Sequence, residues 1–134
     1  MKYLAPDPHG IAAEHWRAAA EGRLALPYCM ACAAFHWPPR AACPRCGGRP
    51  GWRDAGGEGR LAAWSVVRRP VHPALRDEAP YAVGLVELDE GVRLFTHVAA
   101  ADPGALRAGM RLRCEMRATL DPAIHVPVFI VEGS

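Results

Sequence analysis

From Leu61 onward the apolar residues recur at the two-residue period of β-strands, and five segments carry that pattern. They are Leu61 to Val67, Tyr81 to Leu88, Val92 to Val98, Met110 to Ala118 and Val126 to Val131. The fourth alternates most cleanly: Met110, Leu112, Cys114 and Met116 fall on one face, and Arg111, Arg113, Glu115 and Arg117 on the other. The apolar face is therefore assigned to a core. Leu88-Asp-Glu-Gly-Val92 is short, acidic and ends in glycine, which suits a hairpin between the second and third strands. The longer connection Ala101 to Gly109 places Asp102 as a cap for one helical turn before the fourth strand. Three closely joined strands, a connection and two more strands fit a five-stranded OB-type Greek-key barrel, with an open sandwich as the other arrangement.

Upstream of Leu61 the period is different. Ile11 to Glu21 is rich in helix formers, with Gly22 placed to stop it, and Trp16 is its one large aromatic residue. A helix so weakly amphipathic needs another surface, either its own barrel or a partner subunit. Gly22 to Tyr28 then runs extended into Cys29-Met-Ala-Cys32, which is followed after ten residues by Cys43-Pro-Arg-Cys46. Each Cys-x-x-Cys turn presents two sulfurs on one side of a tight loop, and two such knuckles facing each other complete a tetrahedral thiolate cage. Soft sulfur selects zinc, or less often iron. With Cys29, Cys32, Cys43 and Cys46 filling all four positions, the site is structural, and His36 is left without a ligand role. Disulfides would require an oxidising compartment, and Met1-Lys-Tyr-Leu-Ala-Pro-Asp-Pro does not resemble a secretory signal. Between the knuckles, Phe35 and Trp37 are expected to cover the sulfurs, and Pro38-Pro39 to stiffen the return with Arg40 facing outward. Arg49 to Gly59, punctuated by Pro50, Gly51, Gly56, Gly57 and Gly59, reads as a linker. The expected organisation is thus a helical segment over 1–22, a zinc ribbon over 23–50 and an OB-fold barrel over 51–134, in one mainly β unit.

Charge changes this picture little. The formal net charge is +2, and only Lys2 among the 16 basic residues is lysine. Such a bias towards arginine invites a single-stranded nucleic-acid-binding reading, to which Arg93, Phe95 and His97 on the third strand contribute. Acidic residues nearly balance the arginines, and no long basic block occurs, so nucleic acid is the alternative rather than the first reading. No apolar run approaches the roughly 20 residues of a membrane span. A soluble, cytoplasmic protein is expected.

The sequence offers no nucleophile with a base beside it. Cys114 lies on an apolar strand face and reads as a small buried hydrophobe. Ser65 has no motif around it, and His97 reads as a surface histidine on the non-core side of its strand. Phosphate-loop, zinc-protease and dinucleotide fingerprints are absent. These features argue against an enzyme acting alone. The loop Arg68 to Pro80 gathers Arg68, Arg69, His72 and Arg76 among prolines, in the connection that carries binding surfaces in OB folds.

The helix ending near Gly22, the double knuckle around Pro38-Pro39-Arg40, Gly59 to Pro70, Ala79 to Gly91, Gly109-Met110 and Val126-Pro-Val-Phe129 together resemble one family. It is the zinc-ribbon and OB-fold acyl-CoA-associated family catalogued as domain of unknown function thirty-five. The resemblance spans nearly the whole chain. It implies a rubredoxin-like ribbon whose metal ligands are Cys29, Cys32, Cys43 and Cys46. It also implies a non-catalytic subunit of a hetero-oligomer, partnered with thiolase-like proteins or aldolases and able to bridge to hydratases. The setting would be lipid, steroid or polyketide-type metabolism, with a CoA thioester as the bound substrate. On that resemblance Trp37, Arg40, Trp64, Arg68 and Tyr81 are the candidates for contact with CoA or the partner; arginine suits phosphate and an aromatic ring suits adenine.

Overall fold

A computed structural model of the protein describes residues 1–132, so the last two residues of the expected barrel segment lie outside it. The chain opens with a 3-10 turn, Gly10–Ala12, leading into helix α1, Ala13–Ala20. The helix ends as the sequence requires. The Gly22 and Arg23 amides close on the carbonyls of Ala19 and Ala18 at 3.0 and 2.9 Å, and Gly22 adopts φ +81°, which costs glycine little.

Three short strands follow: β1 (Ala25–Cys29), β2 (Ala34–Phe35) and β3 (Gly51–Asp54), in the order β2-β1-β3. Five more, β4 (Glu58–Val67), β5 (Tyr81–Leu88), β6 (Arg93–Ala99), β7 (Arg111–Ala118) and β8 (His125–Val131), close a barrel in the order β4-β5-β6-β8-β7. Closure comes from β7 returning to β4 at Glu58, Gly59 and Arg60, and from the parallel pair β6–β8. The architecture is mainly β with a short N-terminal helix, and the closed barrel is the one expected of an OB fold rather than a sandwich. The connection before β7 also forms as read, with the Gly104 amide donating to Asp102 Oδ1 at 2.9 Å.

Leu61, Val86, Leu88, Leu94, Leu112 and Phe129 are at most 2% exposed and fill the barrel. Burying each such side chain contributes about 1.5–3 kcal/mol before entropy is counted. Two glycines are needed for the fit. A Cβ on Gly84 would lie 2.9 Å from both Leu61 Cδ1 and Val98 Cγ2, and one on Gly59 would strike the Glu87 carbonyl.

The ribbon packs against this same core through Leu24 and Leu26, with Phe35 and Trp37 against it at the edge. Phe35 meets Tyr28 edge-on at 5.0 Å and Trp37 lies 4.7 Å from the His15 ring, so Phe35 joins ribbon to barrel and Trp37 joins both to the helix. Their packing against the barrel core adds a role to the expected one, because burial of their apolar area stabilises the junction of ribbon and barrel.

The expected linker is the larger correction. Gly51–Asp54 pairs with β1 over Ala25 to Tyr28, and β4 begins at Glu58, leaving only 55–57 between the sheets. Those three residues are themselves fastened. The Ala55 amide donates to the Leu24 carbonyl (2.8 Å), Gly56 to Glu90 Oε2 (2.7 Å), and the Cys114 amide donates to the Gly57 carbonyl (2.6 Å). The N-terminal stretch is ordered too: Tyr3 is 4% exposed and its carbonyl accepts from the Leu120 amide at 2.9 Å.

Candidate functional site

The two knuckles converge. Each cysteine is free of disulfide, and the four Sγ atoms of Cys29, Cys32, Cys43 and Cys46 lie within 4.8 Å of one another. Cys29 and Cys46 sulfurs are 3.6 Å apart, Cys32 and Cys43 sulfurs 3.9 Å. A tetrahedral zinc with bonds near 2.3 Å requires sulfurs about 3.8 Å apart, so the donor set fits that ion. Backbone amides turn inward to the sulfurs: Cys32 to Cys29, Arg45 to Cys43 and Gly48 to Cys46, each at 3.4 Å. These donors favour thiolates. The Cys43 thiol is pulled down to about 6 by the Cys46 and Arg45 amides, whereas Cys32 is pushed up to about 12 by the neighbouring Cys46 and Cys29 sulfurs. Four sulfurs this close cannot all ionise unless a cation sits among them, which is the chemical case for a bound metal. All four positions come from protein, so the ion would hold the fold rather than activate water.

The residues named as candidate contacts are spread over several surfaces. Trp37 lines a cavity of about 220 Å³ with Trp16, Phe95, His97 and Pro127. Tyr81 lines a different one, about 340 Å³, and its ring stands 5.4 Å from that of His97. These two cavities share Tyr3 and His97. Arg40 lies elsewhere, in a cleft of about 340 Å³ with Arg49 and Trp52 on the ribbon. Trp64, 38% exposed on β4, and the exposed Arg68 just past its end border none of these three spaces.

The pairing of this ribbon with this barrel is matched by two family models laid end to end. One, described as the ChsH2 rubredoxin-like zinc ribbon domain, matches residues 16–52, and the other, the ChsH2 C-terminal OB-fold domain, matches residues 52–117. The chain belongs to the ChsH2 (DUF35) family. Among solved structures it is similar to one described as Ltp2-ChsH2(DUF35) aldolase, with a TM-score of 0.84 and 35% identity over 94% of this chain and 98% of that one. A probable enoyl-CoA hydratase alpha subunit of Thermomonospora curvata is 37% identical over 116 residues, which are 85% of this chain but 35% of that protein. A DUF35 domain-containing scaffold protein of Methanothermobacter thermautotrophicus is 32% identical over 83 residues, 60% of this chain and 62% of the relative.

Several side chains of this ChsH2-family chain escaped the sequence reading. His15, 1% exposed, donates from Nδ1 to the Ala25 carbonyl at 2.8 Å and so ties α1 to β1; burial pushes its pKa down. His97 is not a surface histidine. It is half-buried between Tyr3, 4.9 Å away, and Tyr81, and burial lowers its pKa as well. The N-terminal stretch covers a strand face that alternation alone left open to solvent. Trp52 and Arg49 were hidden inside the supposed linker, where the only available signal was an indole among glycines. Cys114 packs against the core as expected, and its thiol is pushed up to about 12 by burial, which leaves it unreactive.

Proposed function

We propose that this chain is a non-catalytic accessory subunit of a hetero-oligomer. It binds a thiolase-like or aldolase partner and helps to form an acyl-CoA site, in cytoplasmic lipid, steroid or polyketide-type metabolism. The observation that carries this reading is the similarity to the Ltp2-ChsH2(DUF35) aldolase structure, in which 98% of the matched chain is covered. The side-chain chemistry supports it: four of the five cysteines converge into a metal cage, and the thiol of the fifth is suppressed by burial. In this reading the nucleophile and base come from the partner, while Trp37, Arg40, Trp64, Arg68 and Tyr81 are candidates for touching CoA or that partner.

Co-expression with thiolase-like proteins encoded beside it, followed by affinity capture and size-exclusion chromatography, tests the reading. A stable complex with activity that neither chain has alone is the expected result. Failure to retain any thiolase-like chain, or acyl-CoA turnover by this chain alone, would sink it. The single-strand nucleic-acid reading is less well supported, because Arg93, the arginine that shares the third strand with Phe95, is engaged with Glu87 at 3.1 Å.

A further inference from the structure

The charge of the molecule is divided unequally. Between Gly22 and Arg53 the chain carries five arginines and no carboxylate, although its formal net charge is only +2, so the remainder is net negative. A divalent ion on four thiolates leaves the cage at about −2, which those five charges outnumber. Two of the five are engaged. Arg23 pairs with Glu21 and Asp54, both at 2.7 Å, and the Arg53 guanidinium lies 4.0 Å over the Tyr28 ring. Among the described residues, neither Arg40 nor Arg49 forms an ion pair, and the two line one cleft.

The cleft lies between the return of the knuckle hairpin at Pro39 and Arg40 and the entry to β3 at Arg49 to Trp52. Trp52 stands opposite Pro27 in the β1–β3 ladder, so its half-buried indole shares a rigid, proline-walled floor. Two uncompensated guanidiniums beside a fixed aromatic surface are the elements that recognise a phosphorylated ring: planar donors for phosphate oxygens and a face for the base. At about 340 Å³ the cleft is at the lower end of small-molecule sites.

We infer that this ribbon cleft binds a nucleoside phosphate, with Arg40 and Arg49 on the phosphates and Trp52 against the base. The inference deepens the acyl-CoA part of the function proposed above and rests on it for the natural source, since the head of CoA is an adenosine carrying several phosphates. It selects Arg40 from the earlier candidates and adds two residues that were not among them.

Isothermal titration calorimetry on the zinc-loaded chain tests it, using ADP, CoA, adenosine and inorganic pyrophosphate. ADP and CoA should bind, adenosine should not, and pyrophosphate should bind at least about ten-fold more weakly than ADP. Tighter binding of CoA than of ADP marks the CoA head as the source, and equal binding marks any nucleotide. Arg40→Gln with Arg49→Gln should weaken ADP about ten-fold or more, and Trp52→Ala should erase the preference for ADP over pyrophosphate. Both arginines are exposed, and zinc content with the circular dichroism spectrum verifies that each variant is folded. Undiminished affinity in the double arginine variant overturns the assignment. So does wild-type protein that binds no nucleotide, or that binds single-stranded oligonucleotides but not mononucleotides. A chain that captures its thiolase-like partner yet binds no nucleotide loses only this inference, and one that binds nucleotide without a partner loses only the accessory-subunit reading.

Discussion

The ribbon and the barrel are both antiparallel β structures for most of their pairing, but different forces hold them. The barrel closes around Leu61, Val86, Leu88, Leu94, Leu112 and Phe129, a core large enough to be fixed by burial alone. The ribbon has strands of five, two and four residues and spends its best apolar side chains, Leu24 and Leu26, on the barrel. Its far end is a sulfur cage. The difference teaches that one end of the ribbon depends on hydrophobic packing and the other on coordination, with β1 crossing from one to the other in the space of Ala25–Cys29.

Removing the metal attacks the far end and should give the largest effect. Structural zinc supplies on the order of 10 kcal/mol of apparent folding energy at neutral pH. Chelation, or Cys43→Ser, should therefore release amide protons of residues 29–48 to rapid hydrogen exchange and lower capture of a thiolase-like partner, while amides of β5 and β8 stay protected. Rapid exchange in the barrel as well would break the comparison, and unchanged partner capture after metal loss would contradict the structural role given to the metal.

Next in size is Phe129→Ala, which removes a fully buried ring from the barrel centre. It should cost about 3–5 kcal/mol in urea unfolding. Because Leu24 and Leu26 share that core, exchange should also accelerate in β1, sharpening the claim that the near end of the ribbon belongs to the barrel. Gly84→Ala should cost less, about 1–3 kcal/mol, because the new methyl would press on Leu61 and Val98. A urea midpoint equal to that of the wild type would mean the β4–β5 pair yields more easily than its packing implies.

The smallest expected effect is a pH dependence at the helix contact. His15 has a folded pKa held below its ordinary 6.5 by burial, opposed by its bond to the Ala25 carbonyl, and the Trp16 and Trp37 rings stand against it. Its neutral form is favoured by the fold, so this contribution is complete above about 6.5 and is lost as the pH falls through the lowered folded value. His97 acts in the same direction. The melting temperature of zinc-loaded protein should fall between pH 7.5 and 5.5, and less steeply in His15→Phe; equal slopes would remove His15 from the account.

Much of this was legible in the chain itself. Strict alternation placed β5 at Tyr81 to Leu88, the observed bounds, and the cysteine spacing announced the cage. The failures have a common physical origin. Gly51, Gly56, Gly57 and Gly59 look like turn punctuation, but a Cβ at Gly59 would meet the Glu87 carbonyl and one at Gly57 would lie 3.2 Å from Cys114 Cβ. These two glycines permit close approach of backbones, which a local pattern cannot distinguish from flexibility. Tyr3 and His97 were missed for a related reason: alternation tells which residues share a face, not what later covers it. The ribbon cleft stayed hidden because whole-chain charge averages a basic lobe with an acidic remainder.

The fastening of Ala55, Gly56 and Gly57 has a mechanical consequence. A joint of three residues, bonded to Leu24 just ahead of β1 on one side and to β7 on the other, works as a weld. The two lobes then form a single stiff spacer whose dimensions are set when the chain folds. Anything gripping the ribbon at one end would hold the barrel's loops at a fixed distance and angle at the other. The ordering cost of that geometry is met before any encounter, so docking need not immobilise a swinging lobe.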